Sequence, residues 1–462
     1  MQLLSLEFAA FFLVVLALAW TLRARSTAFR LVLLAASYIF YASLQPAFAV
    51  LLLAVSLATW GAALAVAGTP RSGAKKALMA AYLAVVLGDL CFFKYSGMIA
   101  ELTGTFPDLS IALPLGISFF TFQGVGYVVD VYRRPEELVR SPLDVLLFMA
   151  FFPTVLSGPI LRARDFIPQL KEGLQDWTDA NQAFWLIIVG LFKKVALSSY
   201  LSEHVTRQLF SYPEGFSSLG ALVGVMAYSA QIYCDFSGYS DLAQGLAGLL
   251  GLRVPDNFDQ PYKALNLRQF WQGWHITLST WLRDYLYFPL GGNRKGTSRR
   301  NLNLLVTMGL GGLWHGANLT FLAWGLLHGL GLVVTHAVGG RIGAGLTGFA
   351  ARLRDAAFWA ATFGFVTLAW VFFAAPDFGT AAQVLLRIVS FDSAGTGPSL
   401  TLMVITFGVV GFQALRLDWL RTCPALLSRL PAPAMAASLG ILGALIVRFG
   451  PDGMLPFIYF SF

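Results

Sequence analysis

Two histidines stand inside apolar stretches of this chain, where an ionisable side chain is uncommon. His315 lies in TMGLGGLWHGAN and His275 in QFWQGWHITLSTWLRDYLYFPLGGNRKG, and the 462 residues contain only 5 histidines. An imidazole titrates near neutrality, so one positioned ring can take a proton from a hydroxyl and return it to a leaving group. Gly311 and Gly312 precede His315 by four and three residues, which removes side chains from the helix face below the ring. That face reads in two ways. It is either an open slot for an acyl group or a slender pantetheine arm, or a surface that lets another helix approach with His315 bonded across the interface.

The other ionisable residues within apolar runs are Asp89, Asp130, Asp235, Asp241, Arg283, Asp284 and His328. Each costs about 2.5–3.5 kcal/mol on insertion scales, and most fall between Ala227 and Gly329, so the chemistry is expected there. CDFSGYSDLAQ sets Asp235, Ser237, Ser240 and Asp241 just before an apolar helix, as helix caps or as residues shaping a cavity. Trp274, Trp281, Tyr285 and Phe288 recur near helical spacing and predict one aromatic helix face at headgroup level. The competing reading is an interfacial helix in which His275 is a bystander. Arg283 and Asp284 are adjacent, share no face, and are expected to find different partners. His204 is expected on a surface loop, His336 near the end of a span, and His328 in packing.

These residues need elements to hold them, and the composition says which kind. Hydrophobic side chains make up 57% of the chain and charged ones 12%, about half the usual share of charge. This excludes an ordinary soluble enzyme, disorder, collagen and coiled coil, and predicts an all-α polytopic membrane protein. Apolar runs long enough for a bilayer fall at 3–21, 29–45, 47–66, 77–95, 182–200, 217–234, 301–317, 319–338, 356–374, 399–415 and 433–449, roughly eleven spans. The stretches 111–130, 143–160 and 271–290 are broken by Pro114, Pro153, Pro159, Pro289 or glycines and read as re-entrant or interfacial helices buried by protein. A single membrane domain over 1–462 is expected, with N-terminal helices at 1–100, a core at 111–338 and C-terminal helices at 356–462.

The net charge of +8 is scattered in small Lys/Arg clusters between apolar runs, as in Arg23/Arg25/Arg30 and Arg294/Lys295/Arg299/Arg300. This is the positive-inside pattern and implies no nucleic acid partner. With the clusters in the cytoplasm the N-terminus falls outside, and about fourteen residues of helix from Asn301 place His315 about 21 Å up, past the midplane. The first apolar run has no basic region before it and reads as a retained span. Cys91, Cys234 and Cys423 are far apart and predict neither a disulfide framework nor a metal site. Phosphate-loop, nucleophile-elbow and HExxH motifs are missing from the sequence.

Several ordered segments together resemble one family. They are LPLGISFFTFQ, FFPTVLSGPI, DFSGYSDLAQGLAGLLG, NFDQPY, FWQGWHITLSTWLRDYLYFPLGGNR, LLVTMGLGGLWHGANLTFLAWGLLHG and the terminal PFIYFSF. The chain is similar here to the membrane-bound O-acyltransferases, in the branch with alginate O-acetyltransferase membrane subunits and D-alanyl transfer proteins of lipoteichoic acid. The resemblance implies a helical body with a central tunnel, a catalytic histidine at His315 and a second family histidine at His275. Gly311, Gly312, Asn318 and Trp274 are then candidates for lining the tunnel. It further implies no bound cofactor, acetyl-CoA or a related acyl thioester as donor, a periplasmic acetyltransferase partner with a polysaccharide export or synthase complex, and a bacterial inner membrane as the site. In place of the basic residues expected before the Trp-His pair, this chain has Gln272 and Gly273. Two other activities compete: a transporter or flippase for a lipid-linked or anionic substrate with Asp235, Asp241 and the histidines as a proton relay, and D-alanyl transfer to teichoic acid. A non-catalytic scaffold that recruits exported enzymes is a further reading.

Overall fold

The computed structural model describes residues 1, 3–104, 112–172, 180–339 and 345–414. The expected span at 433–449, the terminal PFIYFSF, Cys423, Arg341 and the Arg416/Arg421/Arg429 cluster lie outside the described residues. Lipid offers no partner to a backbone N–H or C=O, so apolar segments must satisfy these groups internally, as helices do. Among the described residues the one extended pairing is an isolated bridge between Phe216 and Thr396.

The helices in chain order begin with α1 (Leu6–Leu22), α2 (Ser26–Leu44), α3 (Pro46–Gly68), α4 (Ser72–Thr103), α5 (Ile117–Arg133), α6 (Pro142–Ala150) and α7 (Ala163–Glu172). Then α8 (Ala180–Leu191), α9 (Ser199–Leu201) and α10 (Arg207–Ser211) are joined by π-helical windings at Phe192–Ser198 and Ser202–Thr206 into one rod. They are followed by α11 (Ser218–Leu249), α12 (Leu267–Gly273), α13 (Ile276–Leu282), α14 (Gly296–His315), α15 (Leu319–Val338), α16 (Gly348–Ala374), α17 (Phe378–Val389) and α18 (Leu400–Ala414).

Seven of these are long and apolar enough to cross a bilayer: α2, α3, α4, the rod Ala180–Ser211, α11, α15 and α16. The chain is an all-α multi-pass membrane protein. Of the other expected spans, α1 and α18 are apolar but shorter. α14 has the length, but Arg299, Arg300, Asn301 and Asn303 make its first turns polar. The broken stretches resolve differently from one another. α5 is a continuous 17-residue helix, buried along most of its length, whereas 143–160 gives the short α6 and then a series of turns.

The chain falls into two compact units, one of residues 1–187 with 240–255 and the other of residues 188–239 with 256–462. In the first, α3 packs against α4, α5 and α6, and α2 against α1 and α6. Phe8, Phe40 and Phe152 cluster there in edge-on and tilted contacts, with ring centroids 5.4 to 6.3 Å apart. The Arg30 guanidinium donates to Asp144 at 2.6 Å. In the second, α14 and α15 form a tight antiparallel hairpin. Its core is aromatic, with Phe270, Trp274, Trp324 and Trp370 all fully buried.

Candidate active site

The second unit departs from regular helix around His275. Asn266 caps α12, its side-chain oxygen accepting the Gln269 N–H at 2.9 Å. The helix stops at Gly273, and α13 restarts at Ile276. An extended stretch from Asn257 to Asp259 runs beside this break. The Asp259 N–H donates to the Gly273 carbonyl at 2.9 Å, and the Ile276 N–H donates to the Asn257 carbonyl at 3.0 Å. A Cβ at position 273 would stand 2.5 Å from the Asp259 carbonyl oxygen. Gly273 is therefore where two backbones touch, which is why a side chain, basic or otherwise, has no room there.

His275, between the two helices, has φ 42° and ψ 55°. The left-handed region costs a residue with a Cβ about 1–2 kcal/mol, and such strain gathers at functional sites. The break also divides the predicted aromatic face. Trp274 turns into the core and stacks on Phe270 at 5.6 Å, while Trp281 pairs with Tyr285 at 5.1 Å beyond the break. Arg283 lies over the Phe288 ring at 5.9 Å and also turns to its neighbour Asp284. The winding at Arg283–Tyr287 is π-helical, and the two pair with each other at 2.8 Å.

Both family histidines are buried in this unit. The His275 ring meets Phe236 edge-on at 4.6 Å, with Trp314 at 6.0 Å and His315 at 6.4 Å between ring centroids. His315 is the last residue of α14 and is walled by Trp314 at 5.0 Å, Trp324 at 5.2 Å and Phe373 at 5.3 Å. The separation of the imidazoles is too wide for a direct hydrogen bond between ring nitrogens, which needs about 3 Å. His275 Nδ1 lies 3.0 Å from the side-chain oxygen of Asn257, and its Nε2 has no partner among the described residues.

The glycines before His315 behave unequally. A Cβ on Gly312 would collide with the Phe321 carbonyl, and one on Gly325 with the Met308 carbonyl, so α14 and α15 touch backbone to backbone. At Gly312 the space a slot would need is thus filled by α15. Gly311 looks the other way, toward the Leu282 methyl at 3.1 Å. Asn318 is committed to structure: its oxygen caps α15 through the Thr320 N–H at 3.0 Å, and its amide donates to the Pro376 carbonyl at 2.6 Å.

His328 is fully buried among Phe270, Trp271, Trp324 and Phe365. His204 lies on the π-winding Ser202–Thr206, where a loop was expected, stacked on Tyr200 at 4.1 Å. His336 stands near the end of α15 and bonds back to the Leu332 carbonyl at 2.8 Å.

Asp235 sits in the middle of α11, where a helix start was expected. It pairs with Lys194 and accepts from the Ser198 hydroxyl at 3.1 Å. Asp241 is buried on the same helix and is grouped with the first unit. Two residues escaped sequence reasoning. Lys194 stands inside the apolar run 182–200, where a buried ammonium is itself the signal. Asn257 lies in a polar stretch, between Asp256 and Phe258 with Asp259 and Gln260 following, and nothing in the local sequence sets it apart.

Comparison with known proteins agrees with this architecture. Residues 100–375 match the model described as MBOAT, membrane-bound O-acyltransferase family. A Pseudomonas putida protein named probable alginate O-acetylase AlgI is 35% identical over 467 positions, covering 94% of each chain. The peptidoglycan O-acetyltransferase of Helicobacter pylori is 34% identical, over 79% of this chain and 74% of its own. The teichoic acid D-alanyltransferase of Streptococcus thermophilus is 34% identical over a shorter stretch, 48% of this chain and 57% of its own. The matched family segment contains the break at His275, the α14–α15 hairpin and His315, and on this evidence the chain belongs to the membrane-bound O-acyltransferase family and is an O-acyltransferase.

Proposed function

We propose that this chain passes an acetyl group from a cytosolic thioester, acetyl-CoA in the first instance, across the bacterial inner membrane for O-acetylation of an extracellular polysaccharide such as alginate, through an exported acetyltransferase partner. The observation that carries the reading is the approach of two buried imidazoles, His275 and His315, to 6.4 Å within one aromatic shell. The choice of acetyl over D-alanyl follows extent of match. The relatives covering three quarters or more of this chain are named for O-acetylation, and the D-alanyltransferase covers 48% of it.

In this mechanism His315 takes the proton of the acceptor hydroxyl as its oxygen attacks the thioester carbonyl. The C–S bond then breaks, and the departing thiolate takes the proton back from the imidazolium, so no net charge stays in the apolar interior. His275 is the second imidazole at the reacting centre. The rings of Trp314, Trp324 and Phe373 exclude water that would otherwise hydrolyse the thioester. The N-terminus lies outside, and the basic clusters line a cytoplasmic face suited to an anionic donor.

The deciding measurement is O-acetyl content of the exported polymer in cells carrying His315→Ala at unchanged protein abundance. A loss of about 10²–10⁴-fold in transfer is expected. Retained acetylation would remove the catalytic assignment, and release of D-alanine in place of acetate on mild alkaline treatment of the wild-type product would move the reading to D-alanylation.

A further inference from the structure

We infer that Asn257 is a positioning residue that locks His275 in the Nδ1–H tautomer, so that Nε2 offers its lone pair to the transfer. The inference rests on the reading that His275 belongs to the reacting centre, and it adds which nitrogen acts and what sets it.

The argument begins with the amide of Asn257. Its Oδ1 receives the Thr277 backbone N–H at 3.2 Å and the Thr277 hydroxyl at 2.9 Å. A backbone N–H can only donate, so the atom facing it is the carbonyl oxygen of the amide and not the NH2 group. That same oxygen lies 3.0 Å from His275 Nδ1. Because an amide oxygen can only accept, Nδ1 must carry the hydrogen. A neutral imidazole with its proton on Nδ1 leaves Nε2 bare, and Nε2 is the nitrogen with no partner among the described residues.

The backbone makes the lock rigid. The Asn257 carbonyl accepts the Ile276 N–H, and Asn257, His275 and Thr277 are all buried. Moving the proton to Nε2 would set a bare Nδ1 against the amide oxygen, two acceptors facing each other, while His275 is already held at φ 42°. Phe236, edge-on at 4.6 Å, blocks a swing of the ring. A buried polar group left facing its own kind costs about 1–3 kcal/mol, enough to hold one tautomer dominant.

The test uses the full-length protein in detergent with ¹⁵N-labelled histidine, the His275 signals being assigned by their loss in His275→Gln. The wild type is expected to give a protonated, pyrrole-type Nδ1 and an unprotonated, pyridine-type Nε2. Asn257→Asp keeps an acceptor oxygen in place and should keep both the tautomer and polymer acetylation. Asn257→Leu keeps the volume but not the acceptor, and should give mixed tautomers with acetylation down about 10²-fold. A protonated Nε2 in the wild type, or an Asn257→Leu protein with unchanged spectrum and full acetylation, overturns the inference. If Asn257→Leu does not fold, the wild-type spectrum and the Asn257→Asp rescue decide. Full acetylation by His275→Gln would instead sink the assignment of His275 to the reacting centre, while leaving the tautomer signature as it is.

Discussion

The helices α1 to α4 and the stretch from the π-windings to α15 come from one apolar composition but obey different rules. In the first region the helices run unbroken for up to 32 residues, and Gly61, Gly73, Gly88 and Gly97 have nothing within 4 Å of where a Cβ would stand. In the second, Gly273, Gly312 and Gly325 press against neighbouring backbone, two π-windings interrupt one rod, and His275 takes a left-handed conformation. The first region needs only to be apolar and helical. In the second, the break at His275 is met by Asn257 and the winding at Phe192–Ser198 sets Lys194 against Asp235. Irregular backbone held by specific partners therefore marks the candidate site more sharply than any single side chain.

The contrast is broken most severely at Lys194. Its ammonium and the Asp235 carboxylate are both almost fully buried, and the π-winding brings them together. Lys194→Met strands the carboxylate, which costs about 3–5 kcal/mol in buried pairs. The folded fraction after heating in detergent should fall sharply, and the double variant Lys194→Met with Asp235→Leu should recover most of it. A single variant as heat-resistant as the wild type would mean that the pair is not needed for folding.

Gly312→Ala comes next. The added methyl meets the Phe321 carbonyl, and backbone cannot yield as a side-chain tip can, so overpacking of about 1–3 kcal/mol is expected. It should also lower transfer, because α15 carries Trp324 against His315. An open slot at Gly312 would predict the opposite for alanine, with unchanged melting and unchanged transfer.

Much of this was legible in advance, for reasons that differ by region. Apolar run length located α2, α3, α4, α15 and α16 because spanning a bilayer leaves helix length little freedom. The concentration of ionisable residues between 227 and 329 pointed to the unit that holds His275 and His315, since each such residue needs a compensating contact. What was not legible depends on contacts between distant segments. Nothing near Gly312 in sequence says that Phe321 and Gly325 fill its face. Likewise the aromatic spacing from Trp274 to Phe288 suggested one helix, because the turn at His275 is imposed by Asn257 and Asp259, some eighteen residues earlier. The placement of Asp235 at a helix start failed similarly. Carboxylates and hydroxyls resemble a cap, and only the partner Lys194 on another rod explains them in mid-helix.

The smallest expected effect lies in the region where glycine is incidental. Gly88→Ala in α4 adds a methyl with nothing within 4 Å. The change should stay within about 0.5 kcal/mol and leave polymer acetylation as it was. Measured beside Gly312→Ala in the same detergent, it separates glycines that lipid tolerates from those that a second helix requires. A loss at Gly88 as large as that at Gly312 would place a packed neighbour on this open face of α4, and the two regions would then no longer differ in the way their glycines are used.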